Sequence, residues 1–255
     1  MAKFFNALTL ELPGIQHGFF ERNGGVSDPP FDTLNVSVAV GDRKEAVNRN
    51  LDLTASAIGA KPENLCLVKQ THSVDVLDMS TAPDRDNRPE ADGMVTATTG
   101  LALGILTADC GPVLFADPRN HVIGACHAGW KGAVGGIVGN TIEKMLKLGG
   151  ERQHIVAALG PCIHVENYEV GDQFKADVTD KFPQTVDHFK TPNGASAPHF
   201  DLPQCIMQQL ESANIADAFL MPRCTYAAPE KFFSHRYATH QKAKTGRQIS
   251  VIALL

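Results

Sequence analysis

The 255-residue chain has little aromatic surface beyond phenylalanine: one Trp and three Tyr stand against 13 Phe. This argues against an aromatic-lined sugar or nucleic-acid groove. There is no run of Lys or Arg, and 28 acidic against 23 basic residues give a formal charge of -5. Phosphate neutralisation, the main energy source of nonspecific nucleic-acid binding, is therefore missing, and no nucleic-acid partner is expected. The apolar stretch GLALGIL at 100–106 is far too short to span a bilayer. The start MAKFFNALTLELPG lacks a signal-peptide core. A cytoplasmic location with no membrane partner is the expectation. The six cysteines, at 66, 110, 126, 162, 205 and 224, form no CxxC pair. They read as reduced thiols, most of them small core residues, with one a candidate ligand or nucleophile.

Familiar catalytic signatures are also missing. There is no HExxH. Pro161 and Cys162 imitate the second half of the zinc-deaminase signature, but Val165 stands where its next cysteine belongs. Gly124 and Gly129 have the spacing of a Walker loop, yet Trp130 replaces the lysine.

What is present is a chain long enough to bury a substantial core, with 43% apolar and 20% charged residues. Helical periodicity predicts a helix over 43–60, with Val47, Leu51 and Ile58 on one stripe. A second runs from Gly132 or Ala133 to the Gly149–Gly150 stop, a third lies within 168–182, and a fourth follows Asp201 as its cap. Apolar runs predict strands at MVTAT, LALGILT, PVLFADP, HVIGACHAG, HIVAALGPC, AFLMPRCTY and GRQISVIAL, with one or two more in NLCLVKQTHSVDVLDM. Residues 80–92 read as a loop. Residues 183–199, with Pro192, Asn193 and Gly194, read as a mobile excursion. The mixture fits one mixed α/β domain over 1–255 with more than one parallel-type crossover.

Three elements end in a residue able to ligate a metal: QTHS with His72, TADC with Cys110, and ACHAGWKG with His127. One thiolate and two imidazoles suit zinc, and three protein ligands leave a coordination position open. The spacing itself belongs to no zinc motif, and each residue read singly is more often structural. Asp92 and Asp109, beside apolar strand segments, are candidates to orient an imidazole or to move a proton; Asp109 could equally cap a turn. The strand–turn–helix at Gly129, Trp130 and Lys131 offers free N–H groups and a positive charge to a phosphate or carboxylate, or else is a packing turn. Arg236, in FFSHR, is a candidate anion clamp. A hydrolase with Cys110 as nucleophile and His127 as base also fits these residues.

The strings HGFFERNGGVS, Thr33-Leu34-Asn35, QTHS, ADGMVT, TADCGPVLFAD, HAGWKG, GPCI, YEVG, FFSHR and TGR together resemble the YfiH-type family over nearly the whole chain. That family is known as multicopper polyphenol oxidase (laccase), peptidoglycan editing factor and purine nucleoside phosphorylase. The resemblance implies an α+β fold of layered mixed sheets with flanking helices, α/β/β/α-like, described with cysteine hydrolases. It implies that His72, Cys110 and His127 bind one Zn2+. It also implies phosphorolysis of adenosine, inosine and methylthioadenosine, with deamination of adenosine, on small-molecule nucleoside and phosphate substrates. Copper-dependent phenol oxidation and a peptidoglycan quality-control role are the alternatives attached to the family; copper is the less favoured metal. Within the resembling strings, Asn35 and Arg22 join Gly129, Lys131 and Arg236 as candidate phosphate- or substrate-binding residues. Two departures stand out: Trp130 is followed by Lys131 where the family often has arginine, and Arg236 by Tyr237 where it has a second arginine.

Overall fold

The computed structural model describes residues 1–192 and 194–255. Its strands, in chain order, are β1 (Phe4–Phe5), β2 (Ile15–Phe20), β3 (Leu65–Cys66), β4 (Val76–Asp78), β5 (Gly93–Thr96), β6 (Ala102–Thr107), β7 (Gly111–Asp117), β8 (Val122–Ala128), β9 (Val156–Leu159), β10 (Phe189–Lys190), β11 (His199–Phe200), β12 (Asp217–Leu220) and β13 (Gln248–Leu254). The α-helices are α1 (Lys44–Ala57), α2 (Trp130–Gly135), α3 (Ile137–Lys147), α4 (Asp172–Lys181), α5 (Leu202–Ser212) and α6 (His235–His240).

Two large mixed sheets result. One has the order β1-β2-β13-β6-β3 and the other β12-β9-β7-β8-β5-β4. Period-2 alternation along β7 explains how the second sheet serves two cores. Val113 and Phe115 face one core with Ile137, Ile142, Ile206 and Leu210 of α3 and α5. Leu114 and Ala116 face the other core with Leu103, Ile105 and Ile252 of the first sheet. The first sheet repeats the device: Ile249, Val251 and Ala253 turn outward onto Val47, Leu51 and Ala55 of α1. The layers therefore run helix, sheet, sheet, helix, as expected. Parallel pairing joins β3 to β6, β4 to β5 and β12 to β9, so parallel connections occur in both sheets.

Three local expectations need correction. The helix predicted from Gly132 to Gly149 is two helices, because Gly136 adopts φ +95 between α2 and α3; only glycine takes that conformation at no steric cost. The AFLMPRCTY strand stops at Leu220: Pro222 has no amide for a ladder, and the chain bends to place Cys224 beside Cys162 in an isolated bridge. In the predicted excursion at 183–199, Phe189–Lys190 pairs with His199–Phe200, and Phe200 is fully buried; Asn193 lies outside the described residues.

A candidate metal centre at the junction of the two sheets

The site forms where the chain crosses from one sheet to the other. β6 belongs to the first sheet and β7 to the second, and Ala108, Asp109 and Cys110 are the link between them. Because β7 pairs with β8 in register Gly111↔Ala128, Cys110 emerges beside the end of β8, where His127 and Gly129 lie. The third donor, His72, arrives on the loop between β3 and β4. Gln70 pins that loop: its side chain accepts from the Leu106 amide at 2.8 Å and donates to the Leu106 carbonyl at 2.7 Å, acting as a substitute strand partner. The ligand atoms of His72, Cys110 and His127 all lie within 4.8 Å of one another, and among the described residues no fourth His, Cys, Asp or Glu joins them. The imidazole rings of His72 and His127 meet edge to face at 4.8 Å.

Asp92 organises this cluster from beneath. It is 0% exposed, and its Oδ1 lies 2.7 Å from His127 Nδ1. Its Oδ2 accepts from the amides of Thr71, at 3.0 Å, and Ser73, at 2.6 Å, on either side of His72. One carboxylate therefore fixes two donors: it holds His127 with Nδ1 occupied and Nε2 free, and it ties down the turn carrying His72. Burial opposes ionisation of Asp92, but the hydrogen bonds and the charge of His127 outweigh it and hold the carboxyl well below its ordinary range. Of the two roles open to Asp92 in the sequence, these contacts match the orienting one.

Cys110 has the ionisation a metal ligand needs. Burial resists its ionisation, yet the charge of His127 and hydrogen bonds from both histidines bring its pKa down to about 6. Burial likewise disfavours the His127 cation, but the Cys110 thiolate and Asp92 push its pKa up to about 9. Three other cysteines, Cys66, Cys126 and Cys205, are pushed by burial the other way, up to about 12, and burial raises Cys162 as well. Only the deprotonated thiol binds metal, so Cys110 stands apart from them.

Two further observations fit a bound ion. A Cβ on Gly129 would sit 2.9 Å from Cys110 Sγ and 3.0 Å from His72 Cδ2, so the glycine lets both donors approach without displacement. His72 at φ 62 and Asp109 at φ 88 are non-glycine residues in the left-handed region, flanking the same cluster. The residues present fit a three-coordinate metal with an open position.

The cluster opens into a cavity of about 320 Å³, whose wall includes Asp109, Lys131, His235 and Arg236. Asp109 locks three remote strings together. Its Oδ1 accepts from Thr225 Oγ1 at 2.7 Å, its Oδ2 from the Arg236 amide at 2.6 Å, and its carbonyl from the Ile163 amide at 2.8 Å. Arg236 is further held by Nη1 donating to the Glu169 carbonyl at 2.6 Å. Lys131 is exposed on the rim.

Arg22 and Asn35 do not belong to this wall. Arg22 donates to the carbonyls of Asp32 and Pro229, both at 2.9 Å, and lies over the Phe233 ring. Asn35 is 0% exposed and spends its side chain on Ser37, Asp42 and the Arg247 amide. Both side chains make hydrogen bonds within the protein, away from the cavity wall. Conversely, Tyr168, Ile163 and Leu202 line the cavity without having been singled out. Tyr168 stands in the YEVG string, and its scarcity, as one of three tyrosines, was the only signal pointing to it.

A layered fold with a His/Cys/His centre at its sheet junction matches a known class. The family described as multi-copper polyphenol oxidoreductase laccase matches residues 16–255, and the chain belongs to it. Relatives carry a different name. A Mycobacterium tuberculosis protein named purine nucleoside phosphorylase is 39% identical over 231 residues, covering 91% of this chain and 88% of that one. Purine nucleoside phosphorylase YfiH of Escherichia coli is 32% identical over 241 residues, covering 92% and 91%. The crystal structure of YfiH from Bacillus licheniformis is 31% identical, with a TM-score of 0.87 over 96% of this chain and 94% of that one. Among the described residues, no helix is long and apolar enough to cross a membrane.

Proposed function

We propose that this protein is a zinc-dependent purine nucleoside phosphorylase acting on adenosine, inosine and methylthioadenosine, with adenosine deaminase activity. The observation that carries the reading is the juxtaposition of His72, Cys110 and His127 with a cavity whose wall holds Lys131 and Arg236. The names of the relatives support the nucleoside and phosphate substrates. A zinc ion held by the three donors would supply Lewis acidity and a water acidified to a pKa near 7.

The chain's own residues supply the rest. Arg236 and Lys131 attract phosphate; Arg236 is already fixed through Glu169 and Asp109, so little side-chain freedom is lost on binding. Lys131, on the rim, contributes a point charge rather than a fork. Asp92 keeps His127 and the His72 turn in place while the substrate enters. Asp109 is the carboxylate on the cavity wall and is assigned the proton movement during deamination.

The test is chromatography of products from adenosine, with and without phosphate. Adenine with phosphate marks phosphorolysis; inosine without it marks deamination. Protein stripped with chelator should lose both and regain them with zinc, and His72→Ala should be inactive. Zinc-loaded protein that yields no product from adenosine or inosine would end the reading.

One observation favours a second reading. Cys110, His127 and Asp92 also stand as nucleophile, base and orienting carboxylate. A cysteine hydrolase would keep full activity in chelator and lose it to iodoacetamide; the zinc enzyme is stopped by chelator.

A further inference from the structure

Tyr168 has the placement of a substrate-binding residue. It lines the cavity beside Arg236 and Ile163. Its ring is fixed on two sides: Phe200 meets it edge-on with centroids 6.1 Å apart, and the Arg236 guanidinium lies 5.3 Å from the ring centroid. Its backbone is fixed too, donating to the Val165 carbonyl at 3.3 Å and accepting from the Phe200 amide at 3.0 Å. Yet among the described residues its hydroxyl has no hydrogen-bond partner, whereas that of Tyr226 pairs with His240 Nδ1 at 2.9 Å. Burial, followed by the negative charges of Cys110 and Asp109, raises its pKa, so the hydroxyl stays protonated and acts as a donor. Ala108, Ile163 and Leu202 on the same wall carry no polar side-chain atom, and Lys131 and Arg236 are cations suited to an anion. A rigid, neutral hydroxyl at this wall suits a neutral acceptor such as a ring nitrogen.

We propose that Tyr168 acts on the departing base: its hydroxyl donates a hydrogen bond to a ring nitrogen of the purine, so that the rate depends on Tyr168 for nucleosides whose base can accept one. The inference rests on the phosphorolysis reading and names a base-contacting residue within it. In the step concerned, the C1′–N9 bond breaks and its electron pair passes to the base. A phosphate oxygen forms the new bond to C1′. Negative charge spreads over the purine to N7, where the Tyr168 hydroxyl stabilises it while keeping its own proton; water protonates the base on release. A donor bonded more strongly in the transition state than in the ground state raises kcat.

The test compares wild type with Tyr168→Phe on inosine and on 7-methylinosine, both with phosphate. In 7-methylinosine the base already carries the positive charge, so the electron pair of the broken bond neutralises it and the base departs without needing a donor at N7. The variant should lose about 10- to 100-fold in kcat on inosine, change less than about 3-fold on 7-methylinosine, and keep the KM for phosphate. The phenylalanine ring preserves the contacts with Phe200 and Arg236, and a thermal melt checks the fold. Equal losses on both nucleosides, or no loss on inosine, would overturn the role of Tyr168 and leave phosphorolysis standing. Wild type that cleaves neither nucleoside would overturn phosphorolysis itself, and this inference with it.

Discussion

Two buried polar clusters in this protein differ in what they leave over. Around Asn50, the side chain donates to Ser27 Oγ and to the carbonyls of Thr33 and Asn35, and it accepts from the Val26 amide. Asn35 completes that knot through Asp42 and Arg247. Each polar side-chain atom of these two residues has a protein partner, and the cluster joins α1 to the N-terminal loops. Around Asp92, by contrast, every hydrogen bond serves to orient donors that face a cavity: the carboxylate is satisfied, but the ligand atoms of His72, Cys110 and His127 converge on one another. Saturation marks a structural cluster. Convergence of oriented donors on an opening marks a site.

The sharpest way to break this contrast is at the donors. Cys110→Ala should lower phosphorolysis by about 1,000-fold or more and abolish stoichiometric zinc retention, read by elemental analysis. Its unfolding midpoint without metal should stay close to wild type, because the thiol closes no core.

The saturated knot should respond in the opposite sense. Asn50→Ala strands buried partners and is expected to cost about 3 kcal/mol in urea unfolding, while kcat/KM of the folded protein changes less than 2-fold. A large activity loss at unchanged stability would merge the two clusters into one.

His17 supplies an internal control, as a buried histidine outside the wall of the cavity at the His72–Cys110–His127 cluster. Burial lowers its pKa to about 4, and its Nε2 accepts from the Ala7 amide at 2.8 Å. The unfolded chain takes up a proton near pH 6.5, while the folded one resists until about pH 4. The stabilisation is therefore complete above 6.5 and is lost as pH falls toward 4. Between pH 7.5 and 5 wild type should lose about 2 kcal/mol through this residue. His17→Gln, compared over the same range by denaturant titration, should be flatter by that amount.

Asp92→Asn keeps the shape and removes the charge beneath the histidines. Zinc affinity should fall about 10- to 100-fold in a competitive chelator titration; an unchanged affinity would deny that the carboxylate orients the donors. The smallest effect is expected at Gly129→Ala, whose methyl group would press on Cys110 Sγ at 2.9 Å. The neighbouring side chains give by a few tenths of an ångström, so a loss of up to about 10-fold in metal affinity is expected from the same titration.

Much of the fold was legible because its signals are local. The alternation in PVLFADP and HVIGACHAG reports strands buried on two faces, and the stripe of Val47 and Leu51 reports a helix covering a sheet. Breaks that depend on one residue's backbone were missed, as at Gly136, where the predicted single helix divides. At the site, His72, Cys110 and His127 were readable by residue type, and the resemblance assembled them into one set. The roles of their neighbours were not readable. Asp92 and Asp109 looked equivalent as acids beside apolar runs, but one is enclosed beneath His127 and the other lies on the cavity wall. Arg22 and Asn35 looked available because a sequence does not show whether a side chain's hydrogen bonds are already used.

The order of residues along the chain determined the periodicities, the turn points and a set of donors chemically matched to a soft divalent metal. Only the tertiary structure decided which donors meet. Positions 72, 110 and 127 come together because one link crosses between sheets, β7 and β8 pair in a fixed register, and Gln70 anchors a loop to β6. Donor chemistry belongs to single residues and can be read one position at a time. Proximity depends on long-range pairing, and the spacing of residues along a chain carries no distance across it.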